Sequence, residues 1–326
     1  MPGSSKSNNN GRSLEYLITR ALEGSPECSL TPRACASQSR DSVTVSKIDS
    51  RLRASFSRAA PVVASWVLSE IGKTSGIRFV VDRNSDSDVG VADLTIAAGR
   101  KSFQISVKHN HDALSHPRPY SLADAMGLTG SHHEIDHRKR MAIATDSFRK
   151  SIKGATRFPS VVPQKIALYK DVCNECKKTV DLAAKATDVP STLFEFLVGS
   201  GFKKVIVSTS NSSKALKSIQ VVDYSRIRKP TKVRATVDHR KKASSLVLTF
   251  DNGWMIDLRI KNASTDISAS GQVSLKFDAQ KKAGTLPAPV VLLKVNRPSS
   301  RKRGRPRVAP HPLSRLGRSR LTVPTP

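Results

Sequence analysis

An aspartate and a lysine on neighbouring strands can do chemistry together that neither does alone. In this chain the runs "VADLTIA", residues 91–97, and "SFQISVK", residues 102–108, flank Gly99 and Arg100. Both runs alternate apolar and polar residues, the pattern of half-buried strands. Glycine in first place of a two-residue loop predicts a type II′ hairpin. Leu94 then faces Ile105, Ile96 faces Phe103, and Asp93 faces Ser106. One face goes to a core, and the other collects Asp93, Gln104, Ser106 and Lys108. A carboxylate placed there can hold a divalent cation against a phosphodiester. A lysine beside it can orient or deprotonate the attacking water and offset charge in the transition state. Asp86 and Asp88 fall outside the hairpin and reach that point less easily. Read alone, the facing Asp and Lys would equally make a surface ion pair of small energy.

The lysine is followed at once by "HNHDALSHPR", residues 109–118. His109, Asn110, His111 and His116 suit contacts with phosphates, or a proton delivered to a leaving oxygen. Arg118 suits a phosphate or a guanine edge. Each histidine taken singly is more ordinarily a surface or hydrogen-bonding residue, and so are His132, His133 and His137 further on. The letters His109-Asn110-His111 are not the HNH nuclease motif, which spreads over a whole ββα unit around a metal. Cys173 and Cys176 have metal-ligand spacing, but one such pair is half a zinc site. Cys28 and Cys35 could complete it only through the fold, and four ordinary thiols of a reduced, intracellular protein are the plainer reading.

Elements of three kinds must position these groups. Residues 1–10 read as a flexible arm, and "RSLEYLITRALE", residues 12–23, shows helical spacing. Prolines and serines then predict a loop, followed by a helical region over 47–72 that Pro61 kinks or restarts. Residues 77–108 predict strands, 120–157 partial helix, and 164–198 helix. The last globular third is β-rich, with a hairpin signal in "DNG", residues 251–253. The fold class expected is α/β: a mixed central sheet flanked by helices, with a β-rich C-terminal part and a basic disordered tail. In domain terms that gives a core over 11–160 carrying the hairpin 91–108, a second part over 161–296, and a tail over 297–326.

Charge points to the partner. Lys and Arg number 55 against 26 Asp and Glu, a formal net charge of +29 in 326 residues. Folding gains nothing from such self-repulsion, whereas neutralising phosphates releases counterions. Nucleic acid is the partner implied. No run of about 18 apolar residues occurs, so no membrane span is expected, and the N-terminus lacks the apolar stretch of a secretory signal. In the tail, "RKRGRPR", residues 301–307, has the Arg-Gly-Arg-Pro core of an AT-hook. Arg303 and Arg305 could enter a narrow A·T minor groove, or simply add nonspecific attraction.

The hairpin resembles the PD-(D/E)xK nuclease layout, with Ser106 where that pattern has an acid two residues before the lysine. Nucleases of that fold often take a helical glutamate, which points to Glu15; Gln104 and Ser106 are secondary candidates. The resemblance widens beyond the hairpin. "NGRSLEYLI", "ADLTI", "ISVKHNHDALSHPRP", "FEFLVGSGFKKVIV" and "GWMIDLRIKNASTDIS…SLKFDAQ" occur in that order. Together they resemble the HaeIII-type, NgoPII-related family of type II restriction endonucleases, over roughly residues 10–280. Ser115 stands where a basic residue is common in that family, and Lys261 stands in a histidine position.

The resemblance implies a magnesium-dependent enzyme that cuts double-stranded DNA at a short palindrome, GGCC in the best-known member, and leaves 5′-phosphates. It implies Asp93, Glu15 and the Val107 backbone carbonyl as metal ligands and Lys108 as the catalytic lysine. It extends DNA contacts to Arg259, Lys261, Asn262 and Lys276. It further implies a cytosine methyltransferase as functional partner, a homodimer on a palindromic site, and work in a prokaryotic cytoplasm at the nucleoid. Two rivals remain open on residues alone. A non-catalytic basic DNA-binding or architectural protein would need the tail but not the Asp93–Lys108 pairing. An RNA-binding protein would need aromatic platforms, and aromatics are only 5% of the chain.

Overall fold

The computed structural model describes residues 6–71, 78–84, 92–112, 114–186, 188–240, 243–267, 273–283, 285 and 288–294. Helix α1, Lys6–Glu23, begins earlier than its apolar pattern. Residues 6–10, expected as part of an arm, form its opening turns. Leu14, Ile18 and Leu22 are its fully buried stripe. The loop expected next is instead a short strand β1, Cys28–Leu30, and a helix α2, Pro32–Lys47. Thr31 caps α2, its Oγ1 accepting from the Ala34 N–H at 3.1 Å, and Pro32 opens the helix. The prolines and serines here start a helix, because proline at the first helical position gives up an N–H with no helical partner to lose. Helix α3, Ser50–Ile71, carries Pro61 within one continuous element.

Strands β2 (Phe79–Arg83), β3 (Leu94–Ala98) and β4 (Lys101–His109) form an antiparallel meander. The β3–β4 register is the expected one, with Leu94 opposite Ile105 and Ile96 opposite Phe103. Gly99 takes φ 60° while Arg100 is not among the positive-φ residues, as a type II′ turn requires. Helices α4 (Leu122–Ala125), α5 (His132–Ser151), α6 (Val162–Ala183) and α7 (Val189–Leu197) then cross over to β5, Phe202–Thr209. Strand β5 lies parallel to β4. Strand β6, Leu216–Asp223, follows antiparallel.

A second sheet is a four-stranded antiparallel meander: β7 (Val233–Arg240), β8 (Ala243–Phe250), β9 (Met255–Asn262) and β10 (Leu275–Lys281). The expected turn at residues 251–253 joins β8 to β9, with Gly253 at φ 84°. Strand β11, Val290–Leu293, returns to the first sheet, whose order is β1-β2-β3-β4-β5-β6-β11. The fold is therefore mixed α/β, with a seven-stranded mixed sheet and a four-stranded antiparallel one.

Two cores hold it. In one, α1 and α3 cover a face of β2–β6 through residues such as Phe56, Val63, Ile96, Ile105 and Val205. In the other, α5, α6 and α7 pack with Phe202, Ile206 and Val222 from the opposite face and with the apolar face of the four-stranded sheet. The catalytic hairpin candidate is thus gripped from below by α1, while β5 ties it to both cores. All described residues fall within the unit Met1–Val295. Among them no helix is long and apolar enough to cross a membrane. Asp86, Asp88, Arg303, Arg305 and the expected tail lie outside the described residues.

Candidate active site

Asp93 stands one residue ahead of the β3–β4 ladder. Its N–H donates to the Ile105 carbonyl at 2.8 Å, and its own carbonyl accepts from the Asn84 N–H at 3.0 Å. Backbone on both sides therefore fixes where its carboxylate points. Oδ2 accepts from the Val107 N–H at 2.6 Å, the Ser106 hydroxyl at 3.0 Å and the Lys108 ammonium at 3.1 Å. Among the described residues, Oδ1 meets Lys108 alone, at 3.5 Å. Ser106 is fully buried, and its hydroxyl orients Asp93 where an acid would have added a second carboxylate.

A second carboxylate comes from Glu15 on α1. Its Oε2 accepts from the Arg83 guanidinium at 2.8 Å. Arg83 is 3% exposed and also meets Asp41 Oδ2 at 2.9 Å and Gln38 Oε1 at 3.2 Å. One guanidinium at the end of β2 thereby joins α1, α2 and the sheet. Burial pushes the Glu15 carboxyl up, the neighbouring Asp93 charge adds to that, and Arg83 and Lys108 oppose it; the result is about 7. A carboxyl raised that far reports first its burial and second the acid beside it.

Around these groups lies a cleft of about 470 Å³, lined by Glu15, Asp93, Ser106, Val107, Lys108, His109 and His111. Arg12, Arg40 and Lys204 give its wall further positive charge. Gln104 is exposed, pairs in register with Thr95, and does not line the cleft. Neither do Asn110, His116 and Arg118.

The histidine segment is built more than it is presented. His109 packs edge-on against Phe56, with centroids 4.9 Å apart, and shares a hydrogen bond of 2.9 Å with Thr209 Oγ1. Burial lowers its pKa, with His111 and Lys214 adding to the effect. Asn110 takes φ 66°, and its Oδ1 accepts from the Thr209 N–H at 2.6 Å. His111 is exposed, and its Nδ1–H donates to the His109 carbonyl at 2.6 Å, so Nε2 is the ring atom left for a ligand. His116 Nδ1 accepts from the Ala279 N–H at 3.0 Å. Arg118 is exposed ahead of a short 3-10 turn. His137 is fully buried between Thr179 Oγ1 and the Pro119 carbonyl, at 2.8 Å each.

Arg259, Lys261 and Lys276 lie on the polar face of the four-stranded sheet, while Asn262 falls on the other face, opposite buried Leu275. Lys261 is opposite Lys276 and Arg259 is opposite Asp278 across β9 and β10. Lys261 forms an ion pair with Asp278, and Lys276 is exposed. Asn262 is occupied by Tyr169, whose hydroxyl accepts from its N–H at 2.8 Å and donates to its Oδ1 at 3.1 Å. Cys173 and Cys176 are buried on α6, and burial pushes the Cys173 thiol up to about 12.

Sequence reasoning missed Arg83, Asp41, Asp112 and Lys204. Arg83, Asp41 and Lys204 lie within β2, α2 and β5, where a polar residue shows only as a break in the pattern, and Asp112 lies in the loop after β4. As donors toward a metal, Glu15, Asp93 and the Val107 carbonyl offer oxygen alone. Among the described residues no group of three or more His, Cys, Asp and Glu converges. Two carboxylates with room for waters and phosphate oxygens suit a hard, octahedral cation such as magnesium, which rarely takes an all-protein cage.

A family model described as HaeIII restriction endonuclease matches residues 77–283, more than half of the chain. No curated protein and no solved structure matches it. The matched span holds Asp93, Lys108 and the four-stranded sheet, while Glu15 lies ahead of it.

Proposed function

The chain belongs to the HaeIII restriction endonuclease family, and on that premise we propose a magnesium-dependent endonuclease that cuts double-stranded DNA within a short palindrome, GGCC. The observation that carries this reading is the meeting of Asp93, Lys108 and Glu15 in one cationic cleft. Asp93, Glu15 and the Val107 carbonyl would hold the magnesium ion. When bound, that ion supplies a water of lowered pKa and offsets charge on the scissile phosphate.

The chain's own groups do the rest. Ser106 and the Val107 N–H hold Asp93 in one orientation, which fixes the ligand geometry. Lys108 orients the attacking water and stabilises the added negative charge in the transition state. His111, which lines the cleft, would in its imidazolium form pass the Nε2 proton to the leaving oxygen. The products would carry 5′-phosphates. Arg118, Arg259, Lys261 and Lys276 would contact DNA outside the cleft, and Arg303 and Arg305 would add long-range attraction. A palindromic target suits a homodimer, and a cytosine methyltransferase would protect host sites in a prokaryotic cytoplasm, at the nucleoid.

Plasmid DNA incubated with magnesium tests this directly. Wild type is expected to give discrete fragments ending within GGCC. Asp93→Ala and Lys108→Ala are expected to lose about 1000-fold or more in rate while still shifting DNA in a gel. Binding without cutting by all three proteins would sink the reading in favour of a non-catalytic DNA-binding protein.

A further inference from the structure

Four residues beyond Lys108, Asp112 is the centre of a partly buried polar network that the chemistry above does not use. Its carboxylate accepts from the Tyr224 hydroxyl at 2.7 and 2.9 Å, from Lys204 Nζ at 2.7 Å, and from Lys281 Nζ. Lys204 belongs to β5, is 2% exposed, and lies in register beside Ser106. Lys281 ends β10 and sits over the rings of Trp254, at 4.7 Å, and Tyr224, at 5.1 Å. Tyr224 is fully buried and stacks on Phe202 with centroids 5.1 Å apart. A carboxylate with three donors around it has little left for a metal, so Asp112 is not the missing acid of the site. Burial works against its charge, and Lys204 and Lys281 outweigh that.

The network ties the segment after Lys108 to both sheets. Toward Lys108, the segment is locked to β5 by the Asn110 N–H on the Val207 carbonyl at 3.0 Å and by Asn110 Oδ1 on the Thr209 N–H. Toward the second sheet, three contacts fix it to β10: Asp112 with Lys281, His116 Nδ1 with the Ala279 N–H, and the Pro117 carbonyl with the Phe277 N–H at 3.0 Å. Strand β10 also carries Lys276 and Asp278, opposite Lys261 and Arg259. Residues 109–112 and 114–117 thus run as a strap from Lys108 to the β9–β10 surface. A buried ionic cluster contributes little net stability compared with apolar packing, and fixing register is its best-attested use.

We propose that Asp112 and Lys281 are positioning residues that couple DNA engagement at the β9–β10 surface to the placement of Lys108 in the cleft. The inference rests on the endonuclease reading for its consequence on cleavage. The coupling itself can be measured without cleavage. Full-length Lys281→Met is the clean probe, because Lys204 and Tyr224 still satisfy Asp112. Its metal-free affinity for a GGCC duplex should stay within about threefold of wild type. Its single-turnover cleavage should fall about 10- to 100-fold, the scale of a small misplacement at a reacting centre. Lys281→Arg, which keeps the cation, should recover most of that loss. In hydrogen exchange, DNA should slow residues 109–117 of wild type and fail to slow them in Lys281→Met.

Affinity and cleavage falling together would overturn the proposal, as would unchanged cleavage or equal protection in both proteins. A wild type that binds DNA and cuts none would sink the endonuclease reading instead, and the exchange comparison would still decide the coupling.

Discussion

Ser106 and Glu15 divide between them what a single acidic residue does in the pattern this site resembles. Ser106 sits in the strand position and turns the Asp93 carboxylate by a hydrogen bond. Glu15 brings the second carboxyl from a helix, held by Arg83. The cost is a carboxyl raised from its ordinary value near 4.5 to about 7, through burial first and Asp93 second. Between those values the folded metal-free protein keeps a proton that the unfolded chain has released. Its stability from this group therefore falls as pH rises through that window. His109, His116 and His137, each lowered chiefly by burial, contribute the opposite slope. The readout is thus the difference between wild type and Glu15→Gln in thermal midpoint from pH 4.5 to 7.5. Wild type should lose more on rising pH than the variant; parallel curves would show that Glu15 is not raised. If Glu15 holds magnesium as proposed, magnesium affinity should climb with pH across the same range, because the ion would displace that proton.

At the scale of elements, Arg83 is the joint that gives Glu15 its place. It sits at the end of β2 and binds α1 through Glu15 and α2 through Asp41 and Gln38. Asp41 is fully buried and keeps Arg40 as a second partner, at 2.8 Å. Arg83→Met should therefore destabilise at the lower end of what breaking a buried pair costs, about 3 kcal/mol. Urea unfolding with an unchanged m-value would measure it. A loss below about 1 kcal/mol would mean that Arg40 alone satisfies Asp41. Helix α2 itself was hidden in the sequence by its weak apolar stripe, Ala34 and Val45 being its only buried apolar residues. Its signal was the Thr31-Pro32 start, which reads as a loop until the cap is recognised.

For the whole molecule, the governing quantity is charge. Residues 297–326 carry nine Lys or Arg and no acid, and removing them leaves +20 of the original +29. The body therefore remains strongly basic. A chain ending at residue 296 should bind DNA more weakly and with a shallower dependence on salt, since fewer counterions are released. At saturating protein its cleavage rate should match that of the full chain. A truncated chain that binds but cannot cut would place the tail in the chemistry. The salt series should be run on both chains with the same duplex.

The sequence by itself determined the hairpin, its register, and the Asp93–Lys108 pairing, because alternation and turn chemistry are local and a slip by one residue would expose every apolar side chain. It also carried the family, through motifs spread along the chain, and the basic character that suits a polyanion. Only the tertiary structure decided which other polar residues join the site. Glu15 and Arg83 are 68 positions apart, and Asp112 and Lys281 are 169. No local pattern records such pairs, since each half is satisfied only when packing removes water from both. The same reason explains the histidines. His109 and His137 look alike in sequence to His111, yet His137 is buried, His109 is half-buried against Phe56 and Thr209, and His111 stays exposed at the cleft.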